Sequence, residues 1–405
     1  MGDITRRGMI AGMAGVAGMA VTGCTMDPGI APATSSAKKP PPVAPAPPAE
    51  PEPTATTPSP TPEPVDTTPR WPLTGVPFKD GDEAKAAHPA VGCKVPIEMR
   101  SFPQSGVADA DLVFVEAQGN SYDGTRCNAV FHSTWPKAGA NPIRSVRPVD
   151  LALMAPLKAA IASTGAVVWV LKYMLDHKED VKLWQKYGDK TDRWQLQRSR
   201  GGWWSGGPMP DKSVVAMPAA LSRDTTLNKG KVPPVYLQYA APDQPDSAAA
   251  GKPAAQVTVT FAYSLSGFKT AEYHRWDWDA KSGKWLASIR FPKKTAKSAQ
   301  PTWRKWTTRE GTQVAADNVI VLFCKWYMGI VDGYGNSHKE PMYSIIDGRD
   351  RFIYFHGGKY VTGTWTKGAI GDRFVFTLDD GTPLAMAPGK TWILMPQHKA
   401  PVEIL

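Results

Sequence analysis

Residues 25–70 hold almost nothing a hydrophobic core could use. The stretch APATSSAKKPPPVAPAPPAEPEPTATTPSPTPEPVDTTP is Pro, Ala, Thr and Glu with few apolar side chains beyond alanine. A segment of that composition cannot offset its ordering entropy by burial. Whatever folds in this chain must be built from residue 71 onward. Proline favours polyproline II, and at ~3.1 Å per residue the segment spans at most about 140 Å. It reads as a Pro-rich disordered linker between an attachment point and a folded part. A ligand for a small proline-recognition domain is the other reading.

The attachment point is written in residues 1–24. Arg6 and Arg7 precede an uncharged, Gly- and Ala-rich run from Gly8 to Gly23. As a helix that run would be roughly 24 Å long, short of the ~30 Å hydrocarbon core, so it reads as the h-region of a signal peptide. Paired arginines before a weakly hydrophobic run fit a twin-arginine (Tat) signal. The run stops at Val21-Thr22-Gly23-Cys24, which resembles a lipobox. On that reading Cys24 takes up lipid and becomes the new N-terminus. The protein is then held on the outer face of the cytoplasmic membrane. The alternative is a cleaved, soluble secreted protein.

All fifteen Trp lie beyond residue 70, most at strand-like spacing that predicts core. The first seventy residues take five of the 47 Lys+Arg and six of the 37 Asp+Glu, which leaves the remainder near +11. An exported basic domain beside a membrane predicts anionic partners, either a wall polymer or an envelope protein. No nucleic-acid motif is present, and the export signal argues against that class. HExxH, GxSxG and a Walker loop are absent, so no cofactor is implied. No metal site is expected: in HRWDWD (274–279) strand alternation points His274 away from Asp277 and Asp279, and a solvent face is the better reading. With Cys24 lipidated, Cys93 and Cys127 form the candidate disulfide, and Cys324 reads as a packed thiol.

The folded part predicts an α+β protein. A mixed N-terminal α/β half, 71–245, is followed by a mainly antiparallel β half, 255–405. DLVFVEAQ (111–118) and CNAVFHST (127–134) alternate as half-buried strands. LALMAPLKAAIAS (151–163) has helical spacing, with Asp150 as N-cap. AVVWVL (166–171) reads as a buried strand, and DHKEDVKLWQKYG (176–188) as a helix ending at Gly188. RSRGGWWSGGPMPDKS reads as a loop. In the second half VTVTFAY, NVIVLFCKWYM, RFIYF, RFVFTL and TWILMP are strands, joined in part by turns at KSGK, HGGK and LDDGT.

These segments resemble the YerB-like bacterial lipoproteins, a family without an established activity. The resemblance rests on PQSGVADADLVFVE (103–116), DGTRCNAVFHS (123–133), NPIRSVRP (141–148), DNVIV (317–321), GGKYVTGTW (357–365) and PGKTWI (388–393). Phe102, Asn141, the segment Tyr122-Asp123-Gly124 and Gly348-Arg349-Asp350 depart from the family pattern. The resemblance implies a surface-anchored protein in two parts. It supplies no reaction.

NPIRSVRP holds the leading candidate site. Arg144 and Arg147 sit between Pro142 and Pro148 with no local acid. With Ser145 and Arg126 they could build an anion site, since guanidinium forks suit carboxylate and phosphate. Alternatively each pairs with an internal acid, Asp111, Glu116 or Asp150, and ties strand to helix. Glu116, Asp123 and His132 form the candidate catalytic set of a wall-glycan hydrolase, whose carboxylates must flank a glycosidic bond. Against it, Glu116 could pair with Arg126 across the hairpin while His132 is a buried, satisfied residue.

Overall fold

The computed structural model describes residues 69–98, 101–117, 124–185, 192–196, 203–204, 207–208, 213–265, 268–291, 302–335 and 337–405. Arg6, Arg7, Cys24, Asp123 and Gly188 lie outside these residues.

The first half contributes α1 (Asp82–Ala86), β1 (Val91–Ile97), β2 (Leu112–Ala117), β3 (Thr125–Phe131), α2 (Pro148–Met154), β4 (Ala160–Ala162), α3 (Val168–Asp176), β5 (Lys182–Trp184) and α4 (Pro218–Asp224). The second contributes β6 (Lys252–Pro253), β7 (Gln256–Leu265), β8 (Phe268–Asp279), β9 (Lys284–Arg290), β10 (Arg304–Lys305) and β11 (Asn318–Leu322). It continues with β12 (Trp326–Gly329), β13 (Glu340–Tyr343), β14 (Gly348–His356), β15 (Lys359–Lys367), β16 (Val375–Leu378), β17 (Thr391–Leu394) and β18 (Val402–Ile404).

One sheet runs through both halves, in the order β6-β15-β14-β11-β17-β2-β3-β1-β4-β5, with β16 also on β15. β17 is the seam: it pairs parallel with β11 on one side and with β2 on the other. The remaining parallel pairs, β1 with β4 and β4 with β5, belong to the first half, where helices supply the crossovers. A second sheet, β10-β9-β8-β7-β18, is antiparallel and comes entirely from the second half.

The two sheets meet through tryptophan. Trp276 of β8 and Trp306 both pack on Trp392 of β17, with ring centroids 5.2 and 5.1 Å away, and Trp285 of β9 meets Phe355 of β14 at 5.6 Å. All four Trp are buried, as the strand spacing predicts. The opposite face of the large sheet is covered by α2. Tyr236 bridges the two layers, donating to the Leu153 carbonyl at 3.0 Å while its ring meets Phe114 edge-on. Gly92 permits the close approach, because a Cβ there would stand 2.9 Å from the Met154 methyl.

The strands and hairpins of the second half largely fall where the sequence predicts, except that NVIVLFCKWYM breaks after Leu322 into β11, in the large sheet, and β12, which pairs with β13. In HGGK, Gly357 and Gly358 take φ of 57° and 71° and join β14 to β15, a conformation glycine adopts without strain. Residues 151–188 depart from expectation. α2 stops at Met154, a short 3-10 turn contains Pro156, and β4 follows. Asp150 is not the N-cap but the third residue of the helix. Its carboxylate accepts from the backbone N–H of Arg147, which is the cap. The predicted strand 166–171 is largely helix, because its apolar pattern continues: Trp169, Val170, Tyr173 and Met174 form one buried helical face of α3. The predicted helix 176–188 instead holds β5, which adds to β4 in parallel. Trp203–Trp204 pairs with Gly207–Pro208 inside the predicted loop.

Candidate functional site

Antiparallel register decides which polar side chains meet. Glu116 lies opposite Arg126, and Arg126 opposite Pro96. One row along, Phe114, Asn128 and Lys94 are aligned. Lys94, Asn128, Arg126 and Glu116 therefore share the face that α2 covers. The Lys94 ammonium, fully buried, donates to Asp150 Oδ1 at 2.7 Å and to Glu116 Oε1. Asp150 also accepts from the Arg147 N–H at 2.7 Å, so one carboxylate serves both the buried lysine and the start of α2.

The two arginines of NPIRSVRP have different surroundings. Arg147 is buried, and its Nε stands 3.0 Å from Oε2 of Glu340 on β13. Arg126 donates to the Ser145 carbonyl at 2.9 Å. The backbone of Arg144 bonds to Lys94 and Thr164, while its side chain is half-exposed, as is Ser145. An internal acid does hold Arg147, but it is Glu340 and not Asp111, Glu116 or Asp150. Asp111 lies at the other end of the hairpin, accepting the N–H groups of His132 and Ser133, each at 2.7 Å.

Burial sets the electrostatics. Burial first, and Asp150 second, push the Glu116 carboxyl up to about 7 against the pull of Lys94. Burial raises Glu340 as well, opposed by Arg147 and Arg126. Arg126 is lowered by burial and then by its neighbours Arg147 and Arg144. Arg126 thus lies close enough to both Arg147 and Arg144 to be repelled by each.

Of the candidate catalytic set, Glu116 and His132 do not meet, and Asp123 lies outside the described residues. Glu116 has no solvent exposure and cannot touch a glycan. His132 is six residues from Arg126, the partner of Glu116, which is roughly 20 Å along a strand. Its Nε2 faces the carbonyls of Ala86 at 3.0 Å and His88 at 3.2 Å, and burial lowers its pKa to about 4. Nor are Cys93 and Cys127 bridged. Cys127 lies opposite Val95 and Cys93 opposite Ala129, a two-residue offset, and both are buried free thiols.

Sequence reasoning missed Lys94 and Glu340. It also missed a second polar cluster between the sheets. There His274 is buried rather than solvent-facing, 2.6 Å from Glu272, and both meet Thr125. The alternation itself holds, since Asp277 and Asp279 lie on the opposite face of β8 from His274. Lys94 carries a readable signal, being the one charge in the apolar run VGCKVPI, and a charge there must find a partner inside.

The structure is similar to the crystal structure of the YerB protein from Bacillus subtilis, with a TM-score of 0.60 and 19% identity over 83% of this chain and 99% of that one. No curated protein matches the chain. Residues 73–202 match the N-terminal domain model of a protein family of unknown function, DUF3048, and residues 263–393 match its C-terminal domain model. The seam at β17 is where the two parts join in one sheet, and the chain belongs to the DUF3048 family.

Proposed function

We propose that this is an exported protein, lipid-anchored at Cys24, that holds its folded part away from the membrane and binds an anionic component of the cell envelope. The observation that carries the reading is the crowding of Arg126, Arg144 and Arg147 beside the half-exposed Ser145, in a folded part near +11. The lipobox and the long proline spacer support the placement. Arg147 and Arg126 stiffen the site, and Arg144 reaches the surface. A wall polymer suits this arrangement because its repeated charges engage a basic surface without a deep cleft.

The test is sedimentation of the chain carrying Cys24→Ala, which removes the lipidation site, with purified wall. The expected result is salt-sensitive retention, weakened by Arg144→Gln, without release of wall fragments. Release of fragments would make the protein a wall hydrolase. Retention indifferent to salt and to Arg144 would point to an apolar protein interface.

A further inference from the structure

The far side of the sandwich from α2 carries a second basic surface. Among the described residues from Lys281 to Lys305 there are five Lys and Arg and not one Asp or Glu, with Lys284 paired to Asp317. This segment contains β9 and β10, the strands at one edge of the smaller sheet. Because Trp276 points inward, its neighbours on β8, Tyr273 and Arg275, face outward. The register sets Arg275 opposite Ser288 and Ser288 opposite Lys305, while Tyr273 is opposite Arg290.

On this face the arginines are stacked rather than loose. The Arg275 guanidinium lies 4.6 Å from the Trp303 ring centre. That of Arg290 lies 5.0 Å from the same ring and 3.9 Å from Tyr273. Stacking on an aromatic ring fixes the fork before any ligand arrives and leaves the Nη donors of Arg275 in plane, its Nε being held by Asp277. The acids on this face are engaged. Asp277 accepts from Arg275 Nε at 3.0 Å and from Gln256 at 2.6 Å, and Asp279 caps the following turn through Ser282. Glu403 is exposed on β18, at the opposite edge of the sheet. At the edge, Lys305 is exposed on this face opposite Ser288, while Arg304, opposite the buried Ile289, is exposed on the other side of the strand.

We infer that this face and its edge strand bind an anionic glycopolymer, a chain of phosphate groups joined by sugar or polyol units, through Arg275, Arg290 and Lys305 on the face and Arg304 at the edge. A charge-dense polymer suits cations spread over an open sheet face better than a small ligand does, since no cavity is needed. Phosphate suits the preset forks, which take it in two parallel hydrogen bonds. The inference rests on the reading of the chain as an envelope protein with an anionic partner, and it adds a contact surface separate from Arg144.

The chain carrying Cys24→Ala is titrated with fluorescently labelled teichoic-type polymer purified from walls, with inorganic polyphosphate and with oligothymidylate. Arg304→Gln/Lys305→Gln and Arg275→Gln/Arg290→Gln are compared with Lys229→Gln/Lys231→Gln, which removes the same charge from an exposed loop elsewhere. Each neutralised contact should weaken wall-polymer binding about fivefold, so about 25-fold for either test pair, with the loop pair unchanged. If the stacked pair unfolds, the exposed pair decides. Wild-type binding that survives both test pairs overturns the inference and leaves the envelope reading standing. No binding of either phosphate polymer overturns both. Tighter binding of oligothymidylate than of wall polymer would make this a single-stranded nucleic-acid surface instead.

Discussion

Arg147 at the start of α2 and Glu340 on β13 close an ion pair of 3.0 Å between the two halves of the chain. Their side chains are 7% and 12% exposed, so neither charge can turn to water if the other is removed. Arg147→Ala should destabilise the protein by about 3 kcal/mol in urea denaturation, because it strands a buried carboxylate. The apolar pair Arg147→Met/Glu340→Leu should lose less than either single change. A double variant as unstable as the sum of the singles would remove the pairing from the account.

Lys94 stands between two buried carboxylates. Lys94→Met should therefore be among the most damaging single changes, costing about 3–5 kcal/mol or preventing folding. Adding Glu116→Gln to it should restore part of the loss. The check is the denaturation midpoint of the double variant against that of Lys94→Met alone.

Glu116 also makes stability depend on pH. Its folded value is raised from 4.5 to about 7, so the native state holds this proton more tightly than the unfolded chain does. The stabilisation is full below the unfolded value and is lost as pH rises through the folded one. Stability should decline from about pH 4.5 towards pH 7 by an amount that Glu116→Gln removes. Denaturation curves for the two proteins across that window will differ in slope if the assignment holds. Parallel curves would count against it.

Cys93, Cys127 and Cys324 are buried, and burial pushes all three thiols up. None should react with a thiol reagent in the native protein, and all three should react after unfolding without prior reduction. A bridge between Cys93 and Cys127 would leave only one reactive thiol.

Cys24→Ala should move the protein from the membrane pellet to the soluble exported fraction. Replacing Arg6 and Arg7 by Lys should reduce export itself. Unchanged fractionation of Cys24→Ala would refute the lipid anchor.

Legibility followed the range of the interactions. Where a strand alternates and a turn needs glycine, as around HGGK, local chemistry decides and the sequence shows it. The interval 151–188 misleads because AVVWVL is too short an apolar run to separate strand from helix. Its helical face becomes visible only when Tyr173 and Met174 are included. The arginines of NPIRSVRP were visible as candidates, and the octapeptide itself contains no acid. What could not be read was Glu340, which reaches Arg147 only because β13 folds over α2. Glu116 and His132 part for the same kind of reason: though near in sequence, they lie at opposite ends of the β2–β3 hairpin.

The most direct test compares walls that carry their anionic polymers with walls stripped of them, using the Cys24→Ala chain at low and high ionic strength. The account predicts retention on intact walls at low salt, loss of that retention at high salt, and little retention on stripped walls. Equal retention on both walls, unaffected by salt, would contradict it.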